Sequence, residues 1–195
     1  MRIIAGKYRG RRLKTTVGPG FRPAMGKVRE SLFSMLESQG AIRPQVRALD
    51  LFAGGGSLGF EALSRGAAHV CFVESAPYAA KVIRANAAAL GLDAASFDIR
   101  CEEVGRALAV APEQPFSLVF IDPPYRAELL QRTLEALLRK PFTMPGALIN
   151  AEFRAGSAFA PDKAHPSLEV AADRVYGQTR VILWKVRQPD ACPEL

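Results

Sequence analysis

The tetrapeptide Asp122-Pro123-Pro124-Tyr125 follows the apolar run Ser117-Leu118-Val119-Phe120-Ile121 and joins a carboxylate, two rigid residues and an aromatic ring. Asp-Pro-Pro alone could merely end a strand. Proline, however, fixes φ and has no N–H, so the Asp122 carboxylate and a backbone carbonyl near Pro123 become two acceptors without a competing donor. Such a pair suits an exocyclic amine on a nucleic-acid base, whose lone pair is delocalised into the ring. Accepting both amine hydrogens favours a tetrahedral nitrogen and aims its lone pair at an electrophilic methyl group, so positioning and electrostatics would carry the rate. Tyr125 offers a face for the base, and such stacking is worth roughly 1–3 kcal/mol. The target must be flipped or unpaired, since a stacked base is out of reach. Asp122, Pro123 and Tyr125 are therefore the catalytic candidates.

A second constellation lies upstream. Asp50-Leu51-Phe52-Ala53-Gly54-Gly55-Gly56-Ser57-Leu58-Gly59 contains G-x-G-x-x-G at Gly54, Gly56 and Gly59. Glycines let a backbone turn sharply out of a strand and approach a ligand closely, a device that dinucleotide enzymes share. Asp50 separates the two uses. Its charge would repel a pyrophosphate but favours the sulfonium or ammonium of S-adenosylmethionine, which places that cofactor ahead of NAD. Asp50, Phe52, Gly54 and Gly56 are the expected cofactor contacts. Glu74 stands 24 positions beyond Asp50, near the spacing of about 20 residues at which an acid meets ribose hydroxyls.

The elements that must position these groups follow from periodicity. Residues 2–15 read as two short strands about Gly6–Gly10, and 17–23 as a Gly/Pro loop. The i, i+4, i+7, i+8 spacing of Val28, Leu32, Met35 and Leu36 predicts a helix over 25–38. Strands are then expected at 46–52, 70–73, 96–101, 116–121 and 147–153. Helices are expected between them at 58–64, 77–90 (ended by Gly91), 103–110 and 127–139. Leu168–Tyr176 and Thr179–Val186 flank Gly177-Gln178 as an antiparallel hairpin. Alternating βαβ units imply an α/β fold with a mostly parallel sheet. With its C-terminal antiparallel hairpin and small basic N-terminal hairpin, the chain resembles the class I S-adenosylmethionine-dependent methyltransferases, which are Rossmann-like. In that class an acid after the third strand often takes the adenine amino group. Glu102 and Glu103 both stand there; Glu103 is preferred, and the register between them stays open. The implied organisation is a basic hairpin and loop at 1–22, a methyltransferase domain at 23–187 and a flexible tail at 188–195.

Charge is uneven. Residues 1–30 carry nine basic side chains (Arg2, Lys7, Arg9, Arg11, Arg12, Lys14, Arg22, Lys27 and Arg29) against Glu30, whereas the whole chain carries only +7. A cluster this tight points to a polyanion, with Lys7, Arg9, Arg11, Arg12, Arg22 and Arg29 as RNA-binding candidates. No apolar run is long enough to span a membrane, and the N-terminus has no signal-peptide pattern. Cys71, Cys101 and Cys192 are an odd set without CxxC spacing, which fits free thiols in a reducing cytoplasm. With only His69 and His165 besides, no metal is expected. Nothing demands more than a monomer.

Across almost its whole length the chain resembles the small-subunit (16S) ribosomal RNA guanine-N2 methyltransferase D family. The resemblance rests on Arg2-Ile3-Ile4-Ala5-Gly6 with Arg9-Gly10-Arg11, and on Arg22-Pro23 followed by Val28-Arg29-Glu30-Ser31-Leu32-Phe33. It continues through Asp50–Gly59, Glu61-Ala62-Leu63-Ser64-Arg65-Gly66-Ala67, Asp122–Tyr125 and Tyr176-Gly177-Gln178-Thr179. It implies S-adenosylmethionine as methyl donor, a guanine N2 acceptor, and 16S rRNA or a partly assembled small subunit as partner. Ala24-Met25-Gly26 departs from the family, which usually has Arg-Pro-Thr and then polar residues before Val-Arg-Glu. Three other readings compete. A DNA amino-methyltransferase lacks support from any inserted recognition domain. A non-catalytic RNA-binding assembly factor is opposed by the intact Asp122 and glycine loop. A nicotinamide-dependent oxidoreductase is opposed by Asp50.

Overall fold

The structure is a computed structural model that describes residues 1–16, 23–123 and 127–188. Apolar runs form the interior strands β1 (Arg47–Leu51), β2 (His69–Val73) and β4 (Phe116–Ile121), and the mixed run β3 (Phe97–Arg100) forms an edge. They are joined by β5 (Thr143–Arg154) and the hairpin strands β6 (Leu168–Tyr176) and β7 (Thr179–Val186). The sheet order is β3-β2-β1-β4-β5-β7-β6. Strands β1 to β5 pair in parallel, and β7 is antiparallel to both neighbours.

Alternate residues of each interior strand face opposite layers, because side chains in a strand alternate. One face, with Ala48, Phe72, Leu118 and Phe120, packs on α1 (Pro23–Ser38), α2 (Ser57–Ser64) and α3 (Pro77–Leu90). The other, with Leu49, Val73, Val119 and Ile121, packs on α4 (Val104–Ala107) and α5 (Ala127–Leu138). The sheet is thus doubly wound, and its order reverses between β1 and β4. Ligands of such sheets bind beyond the carboxyl ends of the strands at that reversal, which is where Asp50 and Asp122 stand.

Three local expectations are corrected. The helix expected over 103–110 shrinks to Val104–Ala107; Gly105 within it and Pro112 beyond it oppose a longer run. The last parallel strand is longer than 147–153, since β5 begins at Thr143. The N-terminal hairpin keeps a single antiparallel bridge, Arg2 to Arg12, in place of two strands. Ile3, Gly10 and Leu13 donate their N–H groups across the hairpin to the carbonyls of Arg11, Ile3 and Met1, and other backbone groups of the arm are engaged by α2. Ile4 and Ala5 donate their N–H groups to Glu61 at 2.9 and 3.0 Å. Lys7 N–H reaches the Ser64 carbonyl at 2.6 Å, and Tyr8 N–H the Ser64 hydroxyl at 3.0 Å. Glu61, only 1% exposed, also holds Arg65 at 2.9 Å. Gly6 makes this contact possible, for at φ +82° a Cβ would sit 1.8 Å from the Ser64 carbonyl oxygen. Ile3 and Leu13 complete the docking in the apolar layer shared by α1, α2 and α3.

Candidate active site

The backbone leaves β1 through Phe52, whose φ of 59° is the one positive value outside glycine among the described residues. A left-handed non-glycine residue costs about 1–3 kcal/mol and persists only where its surroundings over-determine it. Here Ala53 N–H donates to the Val73 carbonyl at 3.0 Å and Gly56 N–H to the Ala53 carbonyl at 2.7 Å. Glu74, at the end of β2, accepts from Gly54 N–H and Ala76 N–H, both at 2.8 Å. Gly59 must be small: a Cβ there would lie 2.3 Å from the Phe72 ring. That absence lets α2 settle on β2 and presents the loop at the strand ends.

Asp50 is 2% exposed and accepts from Gly59 N–H at 2.9 Å. Burial raises its carboxyl to about 8, opposed by the Gly59 bond and assisted by the nearby charges of Asp122 and Glu74. Asp122 begins immediately beyond β4, and its desolvation raises it to about 6. As a residue Asp122 is exposed at the strand end, and it lines the cavity described next.

A cavity of about 190 Å³ lies over this end of the sheet. Phe52, Ala53, Gly54, Gly55, Ser57, Leu58 and Asp122 form one side. Met1, Lys14, Thr15 and Thr16 of the N-terminal arm, with Arg29, form the other, and Glu152 also lines the cavity. Asn86 of α3 joins the sides, though only 1% exposed. It accepts from Lys14 N–H at 2.8 Å and donates to the carbonyls of Lys14 and Gly55, each at 3.1 Å. A larger cavity, about 630 Å³, opens beneath β1–β3 on the opposite face, but contains neither the glycine loop nor Asp122. Size does not identify the site here; the convergence of carboxyls on a backbone loop does.

The protein-family model described as "Conserved hypothetical protein 95" matches residues 1–185. "Ribosomal RNA small subunit methyltransferase D" of Escherichia coli K12 is 32% identical over 185 residues, covering 95% of this chain and 89% of that protein. Its namesake in Haemophilus influenzae is 37% identical over 153 residues, 78% of each chain. The chain belongs to the ribosomal RNA small subunit methyltransferase D family. The solved structure "Putative methyltransferase yhhF from Escherichia coli" agrees, with a TM-score of 0.82 at 32% identity over 97% of this chain and 99% of that one. The fold is therefore that of the class I methyltransferases.

Within this methyltransferase D family member, the residues singled out from sequence separate into groups. Asp122, Phe52 and Gly54 line the cavity. Pro123 is buried next to Asp122. Asp50 and Glu74 lie behind the loop and hold it, while Gly56 caps α2 at φ +80° under the Phe60 ring. Glu103 is exposed at the start of α4, whereas Glu102 pairs with Arg100 at 2.7 Å. Lys7, Arg9, Arg11 and Arg12 are exposed on the arm. Arg11 also donates to the Ala89 carbonyl, and the Lys7 ammonium sits 5.3 Å from the Tyr8 ring centre.

Arg29 corrects the expectation of a surface phosphate contact. It is 6% exposed, donates to the Arg2 carbonyl at 2.8 Å, and lies 3.7 Å from Glu61. Desolvation lowers its pKa. It therefore braces the arm against α2 and borders the cavity. Tyr125, Arg22, the loop at 17–22 and the tail at 189–195 lie outside the described residues. Sequence reasoning missed Lys14–Thr16, Glu152 and Asn86. The two last carried a signal, as polar residues within otherwise apolar elements.

Among the described residues no helix is long and apolar enough to cross a membrane. Nor does any group of three or more metal-ligating side chains occur among them. The cysteines described are free, Cys71 buried and Cys101 exposed.

Proposed function

We propose that this protein transfers a methyl group from S-adenosylmethionine to the exocyclic N2 of a guanine in 16S rRNA during small-subunit maturation. One observation carries the reading: Asp122, at the end of β4, opens on the same cavity as the Phe52–Gly55 loop at the reversal of strand order. The acidic groups around that loop, Asp50, Glu74 and Asp122, suit a cationic ligand better than a pyrophosphate. When bound, S-adenosylmethionine supplies an activated methyl group on a positively charged sulfur. Gly54 and Gly55 allow close approach to it, and Glu74 is poised near the loop for ribose hydroxyls.

Asp122 and the Pro123 carbonyl would hold the two N2 hydrogens and orient the nitrogen lone pair along the line of transfer. Asp122 need not be a strong base, because the amine becomes acidic as it is alkylated. The exposed cations of the arm, Lys7, Arg9, Arg11 and Arg12, would hold the RNA backbone and set its orientation without specifying sequence. The relatives named as ribosomal RNA methyltransferases support an rRNA acceptor. We place the protein in the bacterial cytoplasm and acting as a monomer.

The test supplies labelled S-adenosylmethionine with naked 16S rRNA, immature small subunits or DNA. Label is expected on guanine N2 of rRNA or subunits. Label confined to DNA, or no transfer to any acceptor, would overturn the assignment.

A further inference from the structure

Glu152 has no part in the chemistry described so far, yet it shares the cavity with Asp122. Their relation follows from register. Strands β4 and β5 are parallel, with Leu118 opposite Leu148 and Phe120 opposite Asn150. One further repeat on the same face brings Asp122 opposite Glu152. Neighbouring strands are about 4.8 Å apart, so two carboxyl groups stand side by side at the strand ends. Burial raises Glu152 to about 8, with the charge of Asp122 as the next cause and the charge of Arg29 opposing. No ion pair to Glu152 occurs among the described residues. A costly acid of this kind beside a reactive one calls for a ligand that offers hydrogen-bond donors to both.

Among bases with an exocyclic amine, only guanine has a donor next to that amine on the Watson–Crick edge. Its N1–H adjoins the N2 amine, whereas adenine and cytosine place a bare acceptor nitrogen there. We infer that Glu152 is the specificity-determining residue for guanine: its carboxyl oxygen accepts N1–H while Asp122 holds the N2 amine. A flipped base is read in this way through its Watson–Crick edge. A carboxyl group offers that acceptor oxygen in either charge state. With Glu152 ionised, as it is once Arg29 and a bound N1–H favour its charge, an adenine presented by its amine would place a lone pair against the carboxylate oxygen and leave both polar atoms unmet. The inference rests on the methyl-transfer reading and adds to it a residue for base choice.

The test uses small subunits reconstituted with rRNA carrying guanine or 2-aminopurine at the mapped methylation position. 2-Aminopurine keeps the N2 amine but has an unprotonated N1. Wild type is expected to prefer guanine by roughly 10- to 100-fold in kcat/KM, the range of a lost hydrogen bond to a charged or buried partner. Glu152→Ala should bring that ratio to within about threefold of unity by losing guanine turnover, with cofactor affinity unchanged. Glu152→Gln keeps a carbonyl acceptor and should retain the preference. Equal use of both bases by wild type overturns the inference without recourse to any variant. So does a guanine preference that survives Glu152→Ala. Absence of transfer to guanine by wild type would instead overturn the methyl-transfer reading beneath it.

Discussion

In the proposed reaction Asp122 would meet two demands that pull in opposite directions: shelter enough to hold a base beside the glycine loop, and charge enough to accept two hydrogen bonds. Its pKa of about 6 reflects that compromise. An acid raised in this way is protonated below pH 6 and ionised above it, so single-turnover methyl transfer should rise with pH through about 6 and level off near 7. In Asp122→Asn the rate should be about 100-fold lower and flat across pH 5–8, with cofactor binding by calorimetry largely preserved. A variant of this kind with undiminished rate would remove Asp122 from the mechanism. The acid was legible in sequence because two prolines and an aromatic follow it in a recognisable string. Glu152 was not, since its neighbour across β4–β5 is decided by pairing between segments 30 residues apart.

At the scale of elements, the arm and the glycine loop operate as one assembly. Asn86 ties Lys14 to Gly55 through three hydrogen bonds from a buried position on α3. Replacing it with Ala leaves buried backbone groups unmet at a cost of about 1–3 kcal/mol. We expect a lower melting temperature together with weaker cofactor binding, and normal values of both would show that the bridge is dispensable. Gly6→Ala should act on the same assembly from the other side, because its Cβ would collide with the Ser64 carbonyl. The expected readout is faster tryptic cleavage at Arg9, Arg11 and Arg12, with the glycine-loop fold intact. The boundaries of α3, β4, β6 and β7 agree with the periodic pattern, since caps and turns such as Gly91 and Gly177-Gln178 are local signals. The hairpin over 2–15 was legible, but its docking was not, because the N–H groups of Ile4, Ala5 and Tyr8 go to α2, more than 50 residues away.

For the whole molecule, two electrostatic features have global consequences. Asp50, Asp122 and Glu152 all have raised pKa values, about 8, 6 and 8. Between about pH 4 and 8 the folded protein therefore holds more protons than the unfolded chain, and its stability falls as pH rises across that window. Melting temperatures should decline from pH 5 to 8.5, less steeply in Asp50→Asn; a profile that climbs with pH would contradict the raised pKa values of these acids. The second feature is the segregated positive charge of the first 30 residues. Neutralising Arg9 and Arg12 should weaken rRNA binding and lower its salt slope by about one to two. An unaltered slope would exclude the arm from the contact.

By itself the sequence determined the order of strands and helices, the glycine loop, and the identity of Asp122, because each is written in short-range spacing, turn chemistry or a contiguous motif. It also determined that positive charge belongs to the N-terminal arm. Only the tertiary structure decided where that charge goes: Arg29 inward to Glu61 and the Arg2 carbonyl, the arm onto α2 through Gly6 and Ser64, and Lys14–Thr16 to the cavity rim. It likewise decided that Glu152 stands beside Asp122. The physical reason is common to all of these: burial and long-range hydrogen bonding arise from which distant segments meet, and residue type and local periodicity do not encode that meeting.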